Sequence, residues 1–315
     1  MMAEELFGWI PDPAGVESFL NDERTKHPLF GLASQGLEAS EGTVLLYEPL
    51  LSLSPGWKRG SQGIGDCVSW GYELGCTTLA AIDIVLRREP EAWKGPFATE
   101  PIYGGSRVEA QGRRRGGYTD GSYGGAAAKW VRDFGLLLRD NYSERTGNNE
   151  HDLREYDSRV AKQWGNYGCG GKQDKGELDQ IAKEHPVKTV SMVTTFSEAA
   201  KAISNGYPVP VCSGQGFTSK RDGDGFCKAK GSWAHCMLFW GVRFGERPGL
   251  LIGNSWGRSV SGPVWPDDQP KAISDCSWWV DADIVDKMLQ GQDSYALSGY
   301  DGFKRREMKW GDGWL

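Results

Sequence analysis

Histidine is scarce in this chain, with four in 315 residues, at positions 27, 151, 185 and 235. Any chemistry that needs an imidazole therefore has few places to sit. The seven cysteines, at 67, 76, 169, 212, 227, 236 and 276, are scattered, and no two have C-x-x-C spacing. That argues against a structural zinc site and against a disulfide scaffold. No metal-ligand set and no cofactor motif is expected. A basic excess is also missing: 36 Lys and Arg stand against 42 Asp and Glu, a net charge of −6. This balance speaks against a general nucleic-acid binder. The one dense basic cluster, Arg113-Arg114-Arg115, reads as a solvated loop. No apolar run approaches the ~20 residues of a membrane-spanning helix. The opening MMAEELFGWIPDPAG is acidic and broken by prolines, unlike a secretory signal, so a cytoplasmic location is expected.

What is present is an ordinary globular composition, 39% hydrophobic and 25% charged. It is enough chain for one large core or two lobes sharing a cleft. Val44–Leu51 reads as a strand or packed extended segment. A glycine-rich turn, Gly60 to Asp66, runs into a helical pattern over Cys67–Arg88, with Leu74, Leu79, Ile82, Val85 and Leu86 on one face. Asp66 suits its N-cap and Pro90 its end. A second helix is expected over Gly125–Phe134, closed by Gly135, and a short one over Ser197–Ser204. Residues 143–180 look polar and irregular. From Pro208 the texture turns to short apolar runs bounded by glycines, which read as a sheet, with SYALSGYDGF as a last strand. A helical half followed by a strand-rich half is an α+β layout.

One set of residues carries chemistry. A thiol attacks a carbonyl as thiolate, and a helix N-terminus favours the anion. Cys67 stands at such a start, behind glycines that let a backbone come close. Its own N–H is free to serve an oxyanion hole, with the Gln62 side-chain amide as second donor. His27 and His185 precede prolines and His151 lies in a charged loop, whereas His235 opens an apolar strand at a cleft edge. Asn254, in Gly253-Asn254-Ser255-Trp256-Gly257, is placed to accept from the imidazole and fix its tautomer, with Trp256 covering the bond. Each feature alone has a bland reading, a core histidine or a turn asparagine. Their joint order does not.

These residues resemble the papain-like cysteine peptidases, especially compact bacterial and phage-type members. Gln62-Gly63-Ile64-Gly65-Asp66-Cys67-Val68-Ser69-Trp70 is similar to the family's nucleophile block. Gly121-Ser122-Tyr123-Gly124-Gly125 and the following helix resemble its C-x-G-G segment, and the histidine strand and N-S-W-G turn complete the set. Gly8-Trp9-Ile10-Pro11-Asp12 looks like the short leader of bacterial members. The resemblance implies a two-lobed α+β fold: a helical lobe over about 60–185, whose central helix starts at the nucleophile, and an antiparallel β barrel-like lobe over about 186–300. Residues 1–59 would be an extension packing on this domain and 301–315 a tail. It implies a thiolate acyl-enzyme peptidase, with Cys67 as nucleophile, His235 as base, Asn254 as orienter and Gln62 as oxyanion donor. Gly65, Asp66, Gly124, Gly125 and Trp256 would line the groove for a peptide or protein substrate.

Three departures accompany the resemblance. Gln62 lies five positions before the cysteine, 67 − 62, where the family has six. Asp66 puts a carboxyl beside the thiol. Ile64 and Ser122 stand where secreted members carry a bridging cysteine pair, which suits a reducing compartment. No long helical prodomain precedes the nucleophile block. The alternative reading is a weakly active or inactive papain-fold protein with a structural or binding role, such as a phage virion or tail component with assembly partners. An amidase acting on peptidoglycan stem peptides is a third reading, although its pair usually lies closer than 168 residues, 235 − 67. A groove filled by the chain's own N-terminus would favour the structural role.

Overall fold

The computed structural model of the chain describes residues 6–87, 92–113, 119–172, 176–306 and 308. Arg88, Pro90, Arg114, Arg115 and most of the expected 301–315 tail lie outside them.

The architecture is built on the helix Cys67–Arg87. Its residues from Cys67 to Leu79 are all buried. One side, with Leu74, Ala81 and Ile82, belongs to a core shared with the sheet. The other side, with Cys67, Val68, Tyr72, Cys76 and Leu79, belongs to a core shared with the other helices. Glycine inside a helix costs about 1 kcal/mol relative to alanine, and two occur here. Both lie where the sheet comes close: a Cβ on Gly71 would lie 2.7 Å from Cys236 Sγ, and one on Gly75 would crowd the Leu297 side chain at 3.0 Å. The helix is thereby seated directly on the sheet.

The helical side contains Thr99–Gly105, Gly124–Asp133 and Ser158–Tyr167. The strands are β1 (Val44–Leu45), β2 (Thr189–Met192), β3 (Val209–Arg221), β4 (Cys227–Arg243), β5 (Gly249–Gly253), β6 (Ser277–Asp281) and β7 (Tyr295–Ser298). In the larger sheet β4 pairs with β5 and β5 with β6, while β1 and β3 both pair with β4. All of these pairings are antiparallel, and β2 and β7 form a separate antiparallel pair. The α+β class of the sequence reading holds. The barrel-like expectation does not: the larger sheet is open, because strand order runs from β1 through β4 and β5 to β6 without closing.

Other expectations shift in informative ways. The central helix and the one over Gly124–Asp133 match their patterns within a residue. Val44–Leu51 is a strand only over its first two residues and then turns into the helix Tyr47–Leu53. Pro49 falls in its first turn, where no backbone N–H is missed. Residues 143–180 hold helices at Ser143–Thr146, Ser158–Tyr167 and Glu177–Ala182. Asp157 caps the second by accepting from Arg159 and Val160 N–H, a signal the sequence carried. Residues before 60 do more than pack on a finished domain, since Leu46, Tyr47, Leu50 and Trp57 are core.

Gly135 ends the helix Gly124–Asp133 with φ +93°, and a Cβ there would meet the Ala182 carbonyl oxygen at 1.9 Å. Gly135→Ala should therefore destabilise the protein by about 2 kcal/mol or more, through left-handed strain plus displacement of that carbonyl. Urea unfolding measures it, and an unchanged midpoint would contradict the account.

Candidate active site

Cys67 is the first residue of the central helix and is fully buried. Its Sγ accepts the Cys236 N–H at 3.4 Å. The next residue back along β4 is His235, so the imidazole-bearing strand is in hydrogen-bond contact with the thiol. His235 sits within β4 rather than at its start, and its side chain is fully buried.

The tautomer of His235 follows from its neighbours. Nε2 lies 2.8 Å from Asn254 Oδ1. The Ser255 N–H also donates to that oxygen, at 2.8 Å, which identifies it as the amide oxygen. Nε2 must then carry the proton. Nδ1 keeps its lone pair and, though buried, has no hydrogen-bond partner. Asn254 Nδ2 donates to Ser259 Oγ at 3.4 Å. Trp256 stacks on the imidazole with centroids 4.1 Å apart and shields the His235–Asn254 bond from water.

Gln62 is held by the same turn. Its N–H donates to the Ser255 carbonyl at 2.9 Å, and its Oε1 accepts from Ser255 Oγ at 2.6 Å. With the oxygen committed, the amide nitrogen is turned outward. It donates to the carbonyls of Leu6, at 2.9 Å, and Ile64, at 2.8 Å.

The Leu6 carbonyl belongs to a segment that sequence reasoning had not placed here. Residues 7–10 follow a helical turn at Leu6 and run between the two walls. Trp9 N–H donates to the Ala234 carbonyl at 3.1 Å; Ile10 N–H donates to Ser122, and Ser122 N–H to Gly8, both at 2.9 Å. The pairing with Ser122 is parallel. Gly8 packs its backbone on Gly65, where a Cβ would fall 2.0 Å from the Gly65 oxygen. The Gly8 N–H faces the Cys67 thiol. Phe7 packs against Trp256, centroids 5.9 Å apart. The Trp9 indole donates to Asp293 at 2.9 Å.

Asp293 also answers for the expected groove glycines. The N–H groups of Gly124 and Gly125 donate to its carboxyl at 2.6 and 2.7 Å, and the Gly124 carbonyl accepts from Tyr72. Those two N–H groups are spent at a helix N-terminus. Ser122, one turn earlier in the chain, is the residue that pairs with backbone in the groove. Asp66 is not seated as an N-cap in the expected way. Its Oδ2 accepts from the Tyr156 hydroxyl at 2.9 Å, while Oδ1 is buried without a partner.

Burial sets the protonation of this site. It raises the Cys67 thiol well above its ordinary range, with the neighbouring Cys236 adding to the effect. It lowers His235 to about 4, despite the bond to Asn254. The pair is therefore neutral thiol and neutral imidazole. Burial likewise pushes Asp66 up to about 8, overcoming the Tyr156 hydroxyl, so at neutral pH this carboxyl places no charge beside the thiol. All seven cysteines are buried free thiols. Among the described residues no group of His, Cys, Asp and Glu could hold a metal ion, and no helix is long and apolar enough to cross a membrane.

The fold is that of the papain-like cysteine proteases. Xylellain, a cysteine protease from Xylella fastidiosa, superposes with a TM-score of 0.56 at 15% identity, covering 94% of this chain and 96% of its own. The Amb a 11 cysteine protease of ragweed pollen, in its proform, superposes with a TM-score of 0.54 at 14% identity, covering 95% and 79%. No protein-family model and no curated protein sequence matches the chain.

Two outcomes are expected. Asp66 and Asp293, the latter raised by burial to about 7, keep protons that the unfolded chain has released. Their contribution to stability is lost as pH rises through those values. His235 acts below 6.5, where the unfolded histidine protonates and the folded one does not. Between pH 6.5 and 8 the urea midpoint should therefore fall, and Asp66→Asn should flatten the fall. An equal slope in wild type and variant would contradict this. Separately, Trp9→Ala removes a buried indole together with its hydrogen bond to Asp293, the bond alone worth about 0.5–1.5 kcal/mol, so alkylation of Cys67 should accelerate about tenfold. Mass spectrometry of iodoacetamide-treated protein gives the rate.

Proposed function

We propose that the chain is a cysteine peptidase whose groove is closed in this structure by residues 6–10. The observation that carries this reading is the assembled set at the groove: Cys67 at a helix start, the His235 strand bonded to its sulfur through Cys236 N–H, and Asn254 on the imidazole. An extended backbone is held by main-chain bonds to both walls, at Ala234 and Ser122, with a carbonyl on the Gln62 amide. A cleft built to bind an extended peptide, with a thiol and an oriented imidazole at its centre, suits cleavage of peptide or protein substrates.

In this reading the closing strand leaves first, and water reaches Cys67 and His235. That relieves the desolvation that keeps both neutral, and Nδ1 takes the thiol proton. The thiolate attacks the substrate carbonyl carbon, and the developing oxyanion meets the Cys67 N–H and the Gln62 amide. Asn254 keeps Nε2 protonated and the ring in plane. The imidazolium then protonates the leaving amine, and water hydrolyses the acyl-enzyme with His235 as base.

The filled groove also favours a second reading, a binding or structural protein that retains the fold. Turnover separates the two. In the full chain carrying Trp9→Ala, a mixed peptide library should be cleaved. His235→Ala in that background should abolish cleavage and Asn254→Ala should reduce it less. Gln62→Ala should cost about 10²–10³ in kcat with little change in KM. Absence of any Cys67-dependent cleavage would sink the peptidase reading in favour of the structural one.

A further inference from the structure

Arg59 lies outside every motif discussed above, yet its side chain is only 4% exposed, and it touches both halves of the site. Its guanidinium makes three separate bonds. Nη1 donates to Glu73 Oε2 at 2.7 Å, Nη2 to the Trp70 carbonyl at 2.9 Å, and Nε to the Asn254 carbonyl at 3.2 Å. The plane also lies over the Trp70 ring, 5.0 Å from its centroid. Trp70 and Glu73 are three and six residues beyond Cys67 on the central helix, and three apart from each other, so they share a face. Glu73 is itself 7% exposed and accepts from Thr77 through its other oxygen. Asn254 is the residue that orients His235.

We infer that Arg59 is a positioning residue that fixes the helix carrying Cys67 against the turn carrying Asn254. This rests on the peptidase reading, for which the separation of thiol and imidazole is decisive. Otherwise the two groups reach each other through different elements: Cys67 from the helix, Asn254 from the chain after β5. Only a rigid, planar, multi-donor cation can bond a helix carbonyl, a helix carboxylate and a turn carbonyl at once. Lysine offers a single charged centre on a flexible stem and cannot reproduce that fork. The chain thus separates two roles in one side chain. The charge pair with Glu73 keeps buried charges compensated, and the bonds to the two carbonyls set geometry.

Two variants dissociate these roles, both made in the full-length Trp9→Ala protein. Arg59→Lys retains the charge opposite Glu73 and loses the fork. Glu73→Gln retains the fork and loses the charge pair. Three quantities are measured: kcat and KM on a cleaved peptide, the pH profile of Cys67 alkylation by iodoacetamide, and the urea midpoint. Arg59→Lys should lower kcat about tenfold with KM within twofold, and should move the alkylation profile to higher pH, because the thiolate loses its aligned imidazolium. Glu73→Gln should leave the alkylation profile in place while lowering the urea midpoint. The inference is overturned if Arg59→Lys leaves both kcat and the alkylation profile unchanged, or if the two variants shift that profile equally. Should Arg59→Lys fail to fold, Glu73→Gln alone decides: a shifted profile overturns the inference and an unshifted one upholds it. A parent protein that cleaves nothing but whose alkylation profile responds to Arg59→Lys removes the peptidase reading and leaves the positioning role standing. Cleavage by the parent, with turnover and alkylation profile both indifferent to Arg59→Lys, does the reverse.

Discussion

The structure depends on one helix being buried on every side at once. Cys67–Arg87 forms part of two cores, one shared with the sheet and one with the surrounding helices. Burying both faces of a helix removes its freedom to slide, because any shift opens voids in two cores together. Gly71 and Gly75 make the seat tight by letting the sheet approach the helix backbone. Every other part of the site is located relative to that element. Cys236 N–H reaches Cys67 Sγ because β4 lies directly on the first turn. The penalty of two glycines in a helix is offset by a fixed distance between a thiol and the strand that carries an imidazole.

The same burial decides the chemical state of the site. A thiol and an imidazole enclosed together are driven toward their uncharged forms, the thiol upward and the imidazole downward, by one cause. Residues 6–10 complete that enclosure. In the peptidase reading, filling the groove and keeping the thiol neutral are then a single event: the segment in the groove also keeps out the water that would support a thiolate and an imidazolium. Asp66 fits this picture. A carboxylate next to the thiol would oppose its ionisation, but the buried carboxyl is held protonated near neutrality, so the adjacency is harmless.

How far the sequence discloses this differs between residues, for physical reasons. Cys67, Asn254 and Trp256 were legible because each sits where an element starts or stops, and turn chemistry there is local. The helix over Ser158–Tyr167 had its own local signal in Asp157 followed by Val160, Ala161 and Trp164, hidden by the polar residues between. The segment over residues 6–10 was not legible as a groove occupant. What seats it is the approach of Gly8 to Gly65 and of Trp9 to Asp293, contacts between residues far apart in sequence. Asp293 and Arg59 are silent for the same reason, since nothing near either names a partner 169 or 195 positions away. The glycines at 124 and 125 were assigned to the groove by the family resemblance of their segment. Whether an N–H is free is a property of the fold, and here Asp293 takes both.

The short turn between Gln62 and Cys67 finds its explanation in the opposite direction along the chain. If the glycine turn alone positioned Gln62, losing one residue would displace its amide. Instead Gln62 is gripped from outside the turn, its N–H on the Ser255 carbonyl and its side-chain oxygen on the Ser255 hydroxyl. Those two bonds fix both the place of the residue and the rotation of its amide, leaving the nitrogen to face a carbonyl in the groove. The turn that follows β5 therefore carries three consecutive tasks: Asn254 orients the imidazole, Ser255 orients the amide donor, and Trp256 covers the imidazole. Arg59 ties the backbone of that turn to the helix that Cys67 starts. The length of the glycine turn is then free to vary, because the geometry it would otherwise dictate is imposed from the facing side of the groove.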